Sequence, residues 1–202
     1  MIIPNDGYYL GVRELCTKYN VLMITDEVQC GMGRTGYLRA TQHESVRPDI
    51  LCLAKSLGGG YYPISAILAD AEVIDVLGMG SHGSTYSGSP LGSAVGMKAI
   101  ETLVGEGMVE NSKEKGAYLL QELRRMQPRW VKEIRGRGMW FAIEPFEDSN
   151  VTGTDIALAM LDEGMLAYKG GGGVCRMSPP LIMTEENCDE MLEKTNAALR
   201  GF

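Results

Sequence analysis

Two short apolar runs constrain this chain most. Val21-Leu22-Met23-Ile24-Thr25 runs straight into Asp26-Glu27-Val28-Gln29, and Ile50-Leu51-Cys52-Leu53-Ala54 runs into Lys55 and then Ser56-Leu57-Gly58-Gly59-Gly60. Short apolar runs bounded by turn residues read as buried strands. Two such strands, close in the chain, fit consecutive strands of one α/β sheet, and open α/β sheets bind ligands at the rim where their strands end.

Each strand end carries chemistry. A lysine there takes its ammonium to the rim, and the glycines behind it let a bulky ligand approach the backbone. A partly desolvated lysine loses its proton more easily, and a neutral amine forms a Schiff base with a carbonyl. The alternative is a lysine that snorkels out of a strand end. Carboxylates at a buried strand end need partners. A pyridinium nitrogen is one such partner; capping a following turn or pairing with Arg34 is the structural alternative for Asp26 or Glu27.

A third segment, Gly80-Ser81-His82-Gly83-Ser84-Thr85-Tyr86-Ser87-Gly88-Ser89-Pro90, is small, polar and glycine-rich and leads into a helix near Pro90. Exposed amides, hydroxyls and a helix start suit an anion, although such a stretch also serves as an ordinary loop. His82 reads as a hydrogen-bonding loop residue. With two histidines and no paired spacing, no metal site is expected.

These motifs, with Gly33-Arg34-Thr35-Gly36, Arg47-Pro48-Asp49-Ile50, Tyr62-Pro63-Ile64-Ser65-Ala66 and Arg135-Gly136-Arg137-Gly138, resemble the class III aminotransferases. Within that family the chain is most similar to the branch acting on ornithine. The resemblance implies an α/β fold: the C-terminal part of the large domain, with a mixed, mostly parallel sheet, followed by a smaller α+β domain. It implies pyridoxal phosphate as cofactor and transfer of the δ-amino group of ornithine to 2-oxoglutarate. Acetylornithine and 4-aminobutyrate are the alternative donors.

The resemblance also implies roles. Lys55 matches the lysine that binds the cofactor and shuttles a proton. Asp26 matches the partner of the pyridine nitrogen, and Gln29 the residue near the ring hydroxyl. Thr85, with Ser84 beside it, matches the contact to the cofactor phosphate of a neighbouring subunit. Arg176 matches the grip on the substrate α-carboxylate, a task suited to a planar fork of donors; its structural alternative is a surface ion pair. Glu27 is taken as structural support. Members of the family are longer than this chain, so the resemblance implies a C-terminal half. The phosphate cup and the ring-stacking aromatic would lie upstream. A homodimer or higher oligomer is implied, and so is the competing possibility of a non-catalytic copy or an assembly subunit.

Composition agrees with such a part. A chain of 202 residues, 45% hydrophobic, can bury a sizeable core. A net charge of −7 argues against nucleic acid, and no apolar run is long enough to span a membrane. Five scattered cysteines with no CxxC indicate a reducing compartment, and the resemblance implies the cytoplasm or the mitochondrial matrix. Met1-Ile2-Ile3-Pro4 does not read as a signal or transit peptide.

Periodicity and turn residues place the remaining elements. Helices are expected near 7–19 (capped by Asp6), 90–104, 111–126 (apolar at Ala117, Leu119, Leu120, Leu123 and Met126), 154–163 and from Thr184 onward. Strands are expected at 64–69, twice within 131–146, and at 165–169. Gly170–Gly173 reads as a loop near the ligand. Residues 1–127 are expected to belong to the large domain and 128–202 to the small one, with Pro128 breaking the helical pattern.

Overall fold

Why short runs become strands here is answered by their pairing. The computed structural model describes residues 1–202, which form two compact units: Pro4–Gly33 with Tyr37–Gly107, and Met108–Phe202 with Met1–Ile3 and Arg34–Gly36.

In the first unit, helix α1 spans Tyr8–Lys18. Its N-cap is Gly7 rather than the expected Asp6, in a left-handed conformation that glycine adopts without strain. Strands β1 (Ile24–Asp26) and β2 (Ile50–Leu53) pair in parallel with Asp26 opposite Cys52. Strand β3 (Ala66–Ala69) runs antiparallel to β2, so this sheet is mixed. Asp49 ties α1 to the sheet, accepting from the Met23 amide and from Arg13, both at 2.6 Å. Those two donors, the amide first, hold its carboxyl below the usual aspartate range. A single turn, α2 (Ala71–Ile74), precedes α3 (Pro90–Gly105), which Ser89 caps by accepting the Gly92 amide at 3.3 Å.

The second unit contains α4 (Met108–Arg125), β4 (Val131–Gly136), β5 (Phe141–Pro145), α5 (Gly153–Asp162), β6 (Tyr168–Lys169), β7 (Cys175–Met177) and α6 (Glu185–Leu199). Its four strands lie in the order β4-β5-β7-β6, and every pairing is antiparallel. Alternation along β5 and β7 sends Phe141, Ile143, Cys175 and Met177 to one face, where they pack with Leu119, Leu123, Ile156, Met160 and Leu199. Burial pushes the Cys175 thiol up to about 12, so it is a small apolar core group. Thr184 and Thr152 cap α6 and α5 in reciprocal capping boxes.

Helix α4 buries Ser112, Gly116, Leu119 and Leu123; Ala117, expected on that face, points outward. Because this stripe packs against the C-terminal sheet, the second unit begins at Met108, upstream of the 127/128 boundary expected from Pro128.

Two consequences are testable. A Cβ at Gly116 would sit 2.3 Å from the Gly138 carbonyl oxygen, whereas one at Gly11 in α1 meets nothing within 4 Å. Alanine gains roughly 1 kcal/mol of helix propensity over glycine, but overpacking against backbone costs about 1–3 kcal/mol. Gly116→Ala should therefore lower the urea midpoint and Gly11→Ala raise it; midpoints moving in the same direction would refute the packing argument.

The second concerns the first unit, where Val21, Leu22, Ile24, Ile67 and Leu68 around the sheet, and Val104 on α3, are exposed. Apolar surface of this extent drives association. The purified chain should self-associate at micromolar concentration, and a monodisperse monomer in light scattering would contradict this.

Candidate active site

The two adjacent acids at the end of β1, Asp26 and Glu27, part company. Glu27 is buried, and its Oε2 accepts the Ala40 amide at 2.5 Å. Its Oε1 accepts both the Thr41 amide and the Thr41 hydroxyl at 3.0 Å. Every partner is a neutral donor, and none of them is Arg34, which donates to the carbonyls of Met139 (2.9 Å) and Pro179 (2.5 Å). Glu27 is thus a structural bolt, as expected. Asp26 is exposed; its Oδ1 accepts only the Val28 amide at 2.9 Å, closing a local turn.

Lys55 follows β2 at the sheet edge where Asp26 ends β1, because the strands are parallel and Asp26 stands opposite Cys52. It has a φ of 48°, a left-handed conformation uncommon outside glycine. The chain thus bends sharply at the amine-bearing residue and turns into Gly59 and Gly60, both also at positive φ. Lys55 is exposed, so the desolvation expected from the sequence is not supplied within this chain. Gln29 is exposed beyond the end of β1. An amine, a carboxylate and a carboxamide therefore stand at or just beyond one rim of one sheet.

Ser84 and Thr85 lie in the turn before α3 and are exposed; the Ser84 hydroxyl accepts the Tyr86 amide at 3.4 Å. His82 is an exposed loop residue, and no cluster of metal-ligating side chains occurs. Arg176 belongs to the second unit, on β7. It is half-buried, its guanidinium carbon 5.1 Å from the Trp140 ring centre and 4.8 Å from that of Tyr168. No acid pairs with it, so the surface ion pair weighed from sequence is absent.

Sequence reasoning missed both aromatic neighbours of Arg176. Cys175-Arg176-Met177 does alternate apolar, charged and apolar, but three residues are too few to announce a strand, and neither ring is near in sequence. A methionine-rich cleft of about 540 Å³ lies elsewhere in this unit, lined by Met160, Met165, Met177, Met183 and Met191. Its charged lining residues, Glu190 and Lys194, bond each other at 2.7 Å, so it offers no convergent reactive groups.

Comparison with known proteins bears on this arrangement. Residues 1–199 match the family described as Aminotransferase class-III. The chain is 45% identical over 195 residues to the ornithine aminotransferase of Plasmodium falciparum, aligning 96% of itself with 47% of that protein. A Toxoplasma gondii ornithine aminotransferase, described with partial occupancy of pyridoxal phosphate at its active site, superposes with a TM-score of 0.95. It is 39% identical, the match covering 98% of this chain and 48% of that one. An acetylornithine aminotransferase from Elizabethkingia anophelis superposes at 0.92 with 38% identity, covering 99% and 51%. The chain spans about half the length of the curated relatives it matches.

The partition of the two acids predicts unequal stability effects. Glu27→Gln presents an amide N–H₂ to amide donors and should cost about 2 kcal/mol. Asp26→Asn keeps its acceptor for Val28 and should change stability by less than about 0.5 kcal/mol. Urea unfolding of both variants checks this, and equal losses would mean the burial assignment is wrong.

Proposed function

Because the chain belongs to the class III aminotransferases, we propose that it carries the lysine half of a pyridoxal-phosphate site. Within the whole enzyme that site would move the δ-amino group of ornithine to 2-oxoglutarate, giving glutamate 5-semialdehyde and glutamate. The observation that carries this reading is the placing of Lys55 and Asp26 at the ends of adjacent parallel strands. The ornithine specificity is supported by similarity at 45% identity. The acetylornithine enzyme that superposes nearly as well keeps acetylornithine as the second donor.

The donor set fits the cofactor: an exposed amine for its aldehyde, a carboxylate with an oxygen free of hydrogen bonds for its ring nitrogen, and an amide for its ring oxygen. When bound, pyridoxal phosphate supplies an electron sink for the substrate carbon. Lys55 holds it and then carries the proton at its Nζ. Asp26 keeps the pyridine nitrogen protonated by supplying the negative charge beside it. Gln29 orients the ring through its oxygen. Ser84 and Thr85 donate hydroxyls to a phosphate across a homodimer interface, and Arg176 grips the substrate carboxylate through two parallel bonds. On this reading the rest of the cofactor cup would come from the portion of the enzyme that this chain does not span.

All five cysteines are unpaired, and no helix is long and apolar enough to cross a membrane. Both facts are compatible with work in the cytoplasm or the mitochondrial matrix.

Trapping tests the assignment. The chain is incubated with substoichiometric pyridoxal phosphate, reduced with borohydride and mapped by peptide. The adduct is expected on Lys55, and Asp26→Asn should lower its yield. Label spread evenly over surface amines such as Lys98 and Lys169 would overturn the reading.

A further inference from the structure

Three residues, Arg34-Thr35-Gly36, pack with the second unit although the residues on both sides of them belong to the first. The chain enters this strap through Gly33 at a φ of 81° and leaves through Gly36 at 87°, turns that glycine makes without strain. The Arg34 carbonyl accepts the Met139 amide at 3.0 Å and the buried Ser112 hydroxyl at 3.4 Å. Helix α4, the β4–β5 turn and the strap also close on one another at glycine. A Cβ at Gly138 would collide with the Gly36 amide, and one at Gly36 would come within 3.0 Å of the Lys113 Cα on α4.

The Arg34 side chain reaches further. Its Nη1 donates to two main-chain carbonyls: Met139 at 2.9 Å, in the β4–β5 turn, and Pro179 at 2.5 Å, just past β7. One nitrogen with two hydrogens therefore joins the start of β5 to the exit of β7. Every group in this brace lies within the chain. Burial lowers the pKa of the guanidinium, so the cation is held there at a desolvation cost that an apolar side chain would not carry.

Both carbonyls adjoin residues of the outward face. Met139 precedes Trp140, and Pro179 closely follows Arg176, whose guanidinium carbon is 5.1 Å from the Trp140 ring centre. Register places Arg176 opposite Ala142, but β7 is three residues long and its pairing with β5 ends at Met177 opposite Phe141. So short a ladder fixes which face a residue takes and holds the end of the strand weakly.

We propose that Arg34 is a positioning residue: by gathering the Met139 and Pro179 carbonyls on one nitrogen, it fixes the exit of β7 against the start of β5 and so sets how Arg176 meets Trp140. The functional meaning rests on the reading that Arg176 takes the substrate carboxylate. A guanidinium suits the task because its donors point in fixed directions within one plane. Bonds from a charged donor are also the stronger kind.

The test follows placement rather than ligand binding, in the full 202-residue chain. Trp130→Phe keeps a ring against Phe202 and leaves Trp140 as the sole tryptophan, so emission reports that residue alone. In this background Arg176→Gln withdraws the cation from the ring and should change the emission. Arg34→Met should reproduce most of that change, and combining the two should add little, as expected of coupled residues. Arg34→Lys, which retains a cation, should recover part of the parent signal. Peptides covering 138–141 and 175–181 should exchange their amide hydrogens about tenfold faster in Arg34→Met, as fits the loss of a charge-assisted bond. Arg124→Met is the control: it removes a bond to the Ile134 carbonyl at 2.9 Å in the same unit. It should lower the urea midpoint without moving the Trp140 emission.

Emission and exchange in Arg34→Met no more altered than in Arg124→Met would overturn the positioning role. Emission that Arg176→Gln fails to change would overturn it too, because the guanidinium would not then lie over the ring. Should Arg34→Met fail to fold by circular dichroism, Arg34→Lys decides by the same two measurements. None of them involves a carboxylate, so the brace and the role of Arg176 fail separately.

Discussion

The parallel pairing of β1 with β2 is the constraint on which the first unit depends. Parallel neighbours need a long crossover, usually one stabilised by a helix. Between Glu27 and Asp49 this chain has no α-helix, only turns and one short 3₁₀ segment at Ala40–Glu44. The carboxylate of Glu27 takes over that stabilising task. By accepting the amides of Ala40 and Thr41 and the Thr41 hydroxyl, it anchors an irregular crossover to the end of the strand that launches it. A buried carboxylate is costly without such donors and strongly ordering with them.

This division of labour explains why two acids stand together at a strand end. Successive residues of a strand point to opposite faces, so one carboxylate enters the protein and the next faces outward. Glu27 makes the turn rigid; Asp26, spent on a single local amide, keeps acceptor capacity at the rim. Parallel geometry then guarantees that the residue leaving β2 arrives at the same rim. That residue is Lys55, in a backbone conformation that costs on the order of 1 kcal/mol. Strain of this kind persists where the surroundings over-determine it. Here they do so through the Leu57 amide bonded to the Ala54 carbonyl at 3.0 Å and through the buried Leu57 and Gly58.

Most of the first unit was legible in the sequence because its signals are local. Apolar runs ending in Asp26 and Lys55, and Pro90 just after Ser89, each announce an element within a few residues, as the Thr184 cap does in the second unit. The α1 start was misread because a left-handed glycine can occupy a cap position as readily as an aspartate can supply one. β7 and the boundary at Met108 were not legible, since both depend on partners distant in the chain. Three residues of strand carry too little pattern to stand out. Whether α4 belongs to one unit or the other is decided by what its Leu119 and Leu123 touch. The surroundings of Arg176 were hidden for the same reason: Trp140 lies 36 residues away and meets it only through the β5–β7 register.

That register gives the C-terminal sheet its logic. One face of β5 and β7 is wholly apolar and fixes the strands against α4, α5 and α6, so a slip by one residue would bury Arg176 and expose Phe141 and Cys175. The hydrophobic face therefore dictates where the arginine stands, and the residues beside it decide what it can do. Next to acids, an arginine becomes part of the scaffold, as Arg135 does with Glu133 and Glu144. Next to Ala142, Trp140 and Tyr168, its neighbours are apolar surface and π faces, which hold a cation without neutralising it. A half-buried guanidinium with no acid beside it is held by such contacts alone, at a cost in desolvation that Arg135 offsets with its two carboxylates.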